Sequence, residues 1–157
     1  GLHKGIRLLE RMGPAPSRWL REDYDRLNPF LVKAIRNVPN MIMDLMLPSM
    51  LASPDHTIRD LIGIFQGMRF SLDHLFDELM AFDFSRIGNK FAVPFFVFQG
   101  DADIFTPIAP AKSFFDQVEA PLKSFAVIRN AGHLACFARP DRFLEELVEK
   151  VLPLAQK

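Results

Sequence analysis

The sequence predicts an α/β fold, with its sheet-forming part confined to the residues after about position 90. Three observations carry this. Apolar residues before that point recur at three- and four-residue steps, the period of helices packed on one face. Beyond it come two short continuous apolar runs rich in aromatic and β-branched residues. A helical pattern separates the runs, and another closes the chain. Strand, helix, strand, helix is the order of a βαβ unit, which joins two parallel strands by a crossover. The expected organisation is a helical region over 1–90 and a βαβα region over 91–157.

The helical stripes follow in order. Ile6, Leu8, Leu9 and Met12 form the first, and Trp19, Leu20, Tyr24 and Leu27 the second. Leu31, Ile35 and Val38 come next, then Met41, Ile42, Leu45 and Met46. Ile58, Leu61, Ile62 and Phe65 form another, and Leu75, Leu79 and Met80 the last. Breaks are expected at Gly13-Pro14-Ala15-Pro16, at Asn28-Pro29, at Pro48 and at Pro54. Ser17 is the expected cap of the second helix and Ser71 of the last.

In the second region, Phe95-Phe96-Val97-Phe98 reads as a strand buried on both faces. Pro94 precedes it, a tolerated place for proline, and Gly100 follows. Residues 109–118 read as a helix with Ala111, Phe114, Phe115 and Val118 inward. Phe125-Ala126-Val127-Ile128 is the second strand. Residues 142–152 form the last helix, with Asp141 as its cap after Pro140. Two parallel strands are a marginal sheet, and the first is too apolar for a free edge. Further strands are therefore expected from a missing N-terminal half of the core or from another chain.

About half of the residues are apolar, enough for a packed core. Lysine plus arginine and aspartate plus glutamate both total 19, and the pI is near 7.1, so nothing asks for a nucleic-acid partner. No run approaches the roughly 20 apolar residues that span a membrane. The first residues carry scattered charges and no apolar signal core. A single cysteine, Cys136, forms no internal disulfide, and a reducing, cytoplasmic compartment is expected. Gly1 stands where an initiating methionine would, which fits a chain with residues absent upstream.

Ligands of open parallel sheets bind beyond the carboxyl ends of the strands. The turn after the first strand is Gln99-Gly100-Asp101-Ala102-Asp103-Ile104-Phe105-Thr106-Pro107. The turn after the second is Arg129-Asn130-Ala131-Gly132-His133-Leu134. An aspartate-rich turn and a histidine turn thus fall at the same end of neighbouring strands. An aspartate there holds an imidazole in the right tautomer, so that the imidazole takes a proton from a hydroxyl or from water.

VPFFVFQGDADIFTP followed by NAGH and an amphipathic helix resembles the end of an α/β-hydrolase, and is most similar to the proline iminopeptidase-like hydrolases. The resemblance implies that residues 1–90 are a helical cap and 91–157 the C-terminal part of the hydrolase core. Gly100 and Asp103 match the spacing of the family's acid turn, with Thr106-Pro107 following. The resemblance makes Asp103 the catalytic acid and His133 the catalytic base. The family's nucleophile sits in a G-x-S-x-G elbow, and no such pattern occurs here, nor does the glycine-rich oxyanion segment. Both precede the cap in chain order. What is implied is the C-terminal part of a serine hydrolase acting on a peptide, amide or ester, silent without its nucleophile, and using no cofactor or metal. The alternatives are an epoxide hydrolase or dehalogenase with an aspartate nucleophile, and a non-catalytic hydrolase relative serving as an interaction module.

Other residues have blander expectations. Asp101 is the rival acid, and Asp103 is otherwise an Asx-turn residue. His3, His56 and His74 read as surface or core histidines, and Cys136 as a small buried residue. Met41, Met43, Met46 and Met50 either line an apolar substrate pocket or pack between helices. Asp73, Asp77 and Glu78 read as a solvated face, or as the carboxylates with which aminopeptidases of the family hold a substrate ammonium.

Overall fold

The computed structural model describes residues 2–34, 37–83 and 86–155. The chain forms two compact units, Gly1–Ala34 with Met46–Phe84, and Ile35–Leu45 with Ser85–Lys157. The segment before Met46 thus belongs to the unit that holds the strands.

The first unit is helical. The first apolar stripe lies on α1 (Leu2–Met12), which ends at Gly13 with φ +76°, a conformation glycine adopts without strain. Trp19 and Leu20 fall outside the second helix, α2 (Arg21–Ala34). Ser17 sits inside a short 3-10 turn, Pro16–Arg18, so it does not cap α2. The Trp19 indole N–H instead donates to the Gly13 carbonyl at 2.9 Å, folding the link back on α1. A Cβ on Gly5 would stand 2.6 Å from the Phe30 Cβ, so only glycine lets α2 lie this close to α1. Pro29 does not break α2 as expected. An interior proline costs about 3 kcal/mol. α2 is held in place by close packing on α1, and the Arg11–Asp23 ion pair at 2.6 Å, with Arg11 exposed, ties the two helices at the surface. Of the third stripe, Leu31 lies in α2, Val38 lies in a bend, and Ile35 is outside the described residues.

A π-helical turn, Met41–Met46, leads into α3 (Leu47–Ala52). Pro48 is the second residue of α3, at the point where the π-helical turn gives way to α-helix. The last two stripes lie on one helix, α4 (Ile58–Met80), and Ser71 is inside it rather than at a cap. No proline interrupts 58–80, and the polar residues between the stripes are ordinary helix surface. The cap is Thr57, in a reciprocal box with Asp60. Buried Phe76 of α4 meets the Tyr24 ring of α2 edge-on at 5.5 Å.

The second unit is a layered βαβ arrangement. β1 (Phe95–Gly100) and β2 (Lys123–Ile128) pair in parallel, from Phe95↔Lys123 to Gly100↔Ile128, and α5 (Ile108–Gln117) connects them. α6 (Ala135–Ala138), α7 (Pro140–Lys150) and α8 (Leu152–Ala155) follow. Side chains alternate across a strand. The face carrying Phe95 and Phe125 meets Phe115 of α5 at 6.4 and 5.3 Å. The opposite face carries Phe98, which meets Phe143 of α7 at 5.3 Å. Each face therefore has a helix against part of it, without being sealed. Ile128, Ala131 and Ala135 form the buried centre, with Phe98 and Ala138 against them.

Two expectations are corrected here. Phe95–Phe98 is only half-buried rather than enclosed on both faces. Among the described residues the sheet has two strands, so β1 has a neighbour along one edge only. The Phe95 and Asp101 N–H groups donate toward β2, and by alternation those of Phe96 and Phe98 point to the other edge. Asp141 does not cap α7, because the helix starts at Pro140, the residue best suited to a first helical position. Asp141 pairs instead with Arg139 at 2.8 Å, and hydrogen bonds from Arg139 hold its pKa at about 2.

Candidate active site

Both candidate turns leave the same end of the sheet because β1 and β2 run parallel. They pack together closely. A Cβ on Gly100 would stand 2.3 Å from the Gly132 carbonyl oxygen and 2.5 Å from that of Ala131. The Asp101 N–H donates to the Ile128 carbonyl at 3.0 Å, and the Ala102 N–H to the Ala131 carbonyl at 2.9 Å. Asn130 takes φ +57°, a left-handed conformation that asparagine tolerates better than most residues. That turn sends the chain back past β1 and brings His133 over the aspartate loop.

Asp103 is 8% exposed, and each of its oxygens has a separate set of donors. Oδ1 accepts the N–H groups of Phe105 and Thr106, both at 2.9 Å, which is an Asx-type turn. Oδ2 accepts the Gln99 amide at 2.9 Å and the Thr106 hydroxyl at 2.6 Å. Oδ2 also lies 3.0 Å from His133 Nδ1. The two readings of Asp103, turn residue and imidazole partner, therefore hold at once. Burial pushes its pKa up. The Thr106 hydroxyl and N–H, and then His133, outweigh burial and leave the carboxyl below its ordinary value.

Asp101 is placed differently. Its Oδ1 accepts the Ala131 N–H at 3.2 Å, so it staples one turn to the other. The imidazole of His133 is about two-fifths exposed and packs edge-on against the Phe105 ring at 5.6 Å. Both hydrogen-bond contacts of the ring are made at Nδ1, and among the described residues Nε2 has no hydrogen-bond partner. A shallow cleft adjoins it, lined by Met41, Leu45, Ile104, Phe105 and Leu134. Val38 lies 3.7 Å from where a Gly132 Cβ would be, so the 37–45 segment rests on the histidine turn.

The chain is similar to the probable aminopeptidase YbaC of Bacillus subtilis (strain 168), with 29% identity over 98 residues. Those residues are 62% of this chain and 31% of the relative, so the match spans less than a third of the relative's length. No family model matches the chain, and no solved structure matches it.

The remaining candidates are elsewhere. Of the four methionines, Met41 lines the cleft, Met43 is exposed, and Met46 and Met50 are half-buried in the helical unit. Asp73 pairs with Arg21 at 2.7 Å, and Asp77 and Glu78 are exposed on the same helix. His3 and His56 are exposed, and His74 bonds the Phe70 carbonyl at 2.8 Å within α4. Cys136 is half-buried in α6. Among the described residues, no group of three or more His, Cys, Asp or Glu side chains is placed to hold a metal. No described helix is long and apolar enough to cross a membrane. Gln99 and Thr106 both donate to Asp103, a role the sequence reading did not assign to either. The available signal was Asp103-x-x-Thr106, an acceptor three residues before a donor in a turn.

Proposed function

We propose that these residues are the C-terminal part of a peptidase-type serine hydrolase with an α/β-hydrolase core, in which His133 is the base and Asp103 its partner. The observation that carries the reading is the 3.0 Å contact between Asp103 Oδ2 and His133 Nδ1, at the carboxyl ends of adjacent parallel strands. A buried carboxylate on Nδ1 fixes the ring with its proton there and stabilises the imidazolium that forms. Nε2 then takes the proton of a serine hydroxyl as its oxygen attacks a carbonyl carbon. The same proton passes to the leaving amine or alcohol when the carbonyl reforms.

The nucleophile and the oxyanion donors come, in this proposal, from a segment outside these 157 residues, as do the strands that flank β1. The likeness to a protein named as a probable aminopeptidase favours amide chemistry over epoxide or carbon–halogen chemistry.

A fluorophosphonate probe tests the reading. It is expected to label a serine in the full-length gene product, with labelling lost in His133→Ala, and to leave the 157-residue chain unlabelled. Absence of label on the full-length protein defeats the serine mechanism. Label on the short chain defeats the assignment of the nucleophile to another segment.

A further inference from the structure

Oδ2 of Asp103 is the meeting point of three donors, and the spacing among them constrains where hydrogens lie. An ionised carboxylate only accepts. The Thr106 hydroxyl, 2.6 Å from Oδ2, therefore points its hydrogen at that oxygen and has only lone pairs left to offer elsewhere. His133 Nδ1 lies 3.3 Å from the same hydroxyl oxygen and 3.0 Å from Oδ2. An unprotonated Nδ1 would set lone pair against lone pair toward both neighbours. A protonated Nδ1 finds two acceptors.

We infer that Thr106 is a positioning residue for His133, its hydroxyl sharing the Nδ1 proton with Asp103 and so holding the tautomer that leaves Nε2 free to act as a base. The inference rests on the proposed His133–Asp103 pair and deepens it. Gln99 makes the hydroxyl's position definite. Its buried amide donates to Asp103 Oδ2 at 2.9 Å and to the Thr106 carbonyl at 2.8 Å, clamping both ends of the loop with one group. The Thr106 N–H is spent on Asp103 Oδ1, so the residue is tied at its hydroxyl, N–H and carbonyl. Only the hydroxyl faces the ring.

The test reads the imidazole directly in the full-length protein and needs no turnover. With histidine labelled in nitrogen-15, the shifts of Nδ1 and Nε2 report the tautomer of neutral His133. The wild type and Thr106→Ser are expected to hold the Nδ1–H form. Thr106→Val is expected to move the ratio roughly fivefold toward Nε2–H, the worth of one ordinary hydrogen bond. A Thr106→Val ratio equal to the wild type overturns the inference, since a residue that merely staples the turn would lower stability and leave the tautomer unmoved. Where Thr106→Val does not fold, the wild type decides. A Thr106 hydroxyl proton with a cross-relaxation peak to the His133 Nδ1 proton supports the inference, and its absence overturns it. If the wild type lacks the Nδ1–H form and Asp103→Asn changes nothing, the pair itself fails. If the wild type has it and Thr106→Val keeps it, only the role of Thr106 fails.

Discussion

Asp103 Oδ2 lies 3.0 Å from His133 Nδ1 while Oδ1 of the same carboxylate closes its own turn on the N–H groups of Phe105 and Thr106. One oxygen builds the loop and the other faces the imidazole. A substitution that keeps the shape but changes the hydrogen-bond sense separates these jobs. Asp103→Asn can still close the turn through its carbonyl oxygen, but its NH2 then faces Nδ1 and favours the wrong tautomer. In the full-length protein a loss of roughly 10⁴-fold in kcat, with KM little changed, is expected, by analogy with triad aspartate replacement elsewhere. Steady-state kinetics on the purified variant checks it.

Asp103→Ala is expected to be costly for a different reason. It removes the buried acceptor shared by the Gln99 amide and the two turn N–H groups, although the amide keeps the Thr106 carbonyl. A donor left unsatisfied in a buried site costs about 1–3 kcal/mol, so a loss in that range is expected against a smaller loss for Asp103→Asn. Urea unfolding of the two variants side by side measures the difference.

The lowered pKa of Asp103 sets the sign of an acid effect. A carboxyl whose folded pKa lies below its unfolded value binds fewer protons when folded. Its contribution is complete above the unfolded value, about 3.9, and disappears as pH falls through the lowered folded value. Wild-type stability is expected to drop on acidification through this window, and the gap between wild type and Asp103→Asn to narrow over the same range. Urea midpoints taken from pH 7 down to pH 3 test this, and a gap independent of pH would contradict it.

Much of this was legible in the sequence, for identifiable reasons. The runs at Phe95 and Phe125 are continuous, apolar and bounded by breakers, so strand type and order follow from local pattern. Parallel pairing then places the two following turns at one end of the sheet, and the meeting of Asp103 with His133 becomes a consequence of topology. The helical caps were less legible, because Ser17, Ser71 and Asp141 have the right chemistry at the wrong backbone position. Thr57 and Pro140 took the starts of their helices instead. Pro29 misled because α2 is held in place by close packing on α1, a contact distant in sequence. Gln99 and Thr106 were least legible. Their role depends on the curvature of one loop, which brings a strand residue and a turn residue onto the same oxygen.

Gly100→Ala is expected to damage the site without touching any polar group. The added methyl meets two carbonyl oxygens of the histidine turn at 2.3 and 2.5 Å, and both belong to backbone. Neither moves by a rotamer change, so the two turns must separate. Overpacking of this kind costs about 1–3 kcal/mol or more. Loss of the Asp103–His133 contact should accompany the fall in stability. Thermal unfolding and the His133 nitrogen shifts report the two effects. Thr57→Ala makes the comparison, since losing the cap of α4 costs about 1 kcal/mol in the other unit and should leave the His133 signal in place.

Asp101 and Asp103 both occur in the same turn, and replacing each in turn by asparagine separates the stapling carboxylate from the orienting one. Asp101 Oδ1 accepts the Ala131 N–H at 3.2 Å and has no bond to the ring, while Asp103 Oδ2 meets the ring directly. Asp101→Asn retains a carbonyl oxygen for Ala131, so it should keep both the fold and the His133 tautomer. Asp103→Asn should keep most of the fold and lose the tautomer. Asp101→Ala frees the Ala131 N–H in a turn where Ala131 is fully buried, and it should cost about 1–3 kcal/mol while the surviving folded molecules keep the Nδ1–H form. The three variants give three combinations of stability and tautomer, read by urea unfolding and nitrogen-15 shifts on the same samples. Loss of the tautomer in Asp101→Asn with its retention in Asp103→Asn would reverse the roles of the two carboxylates.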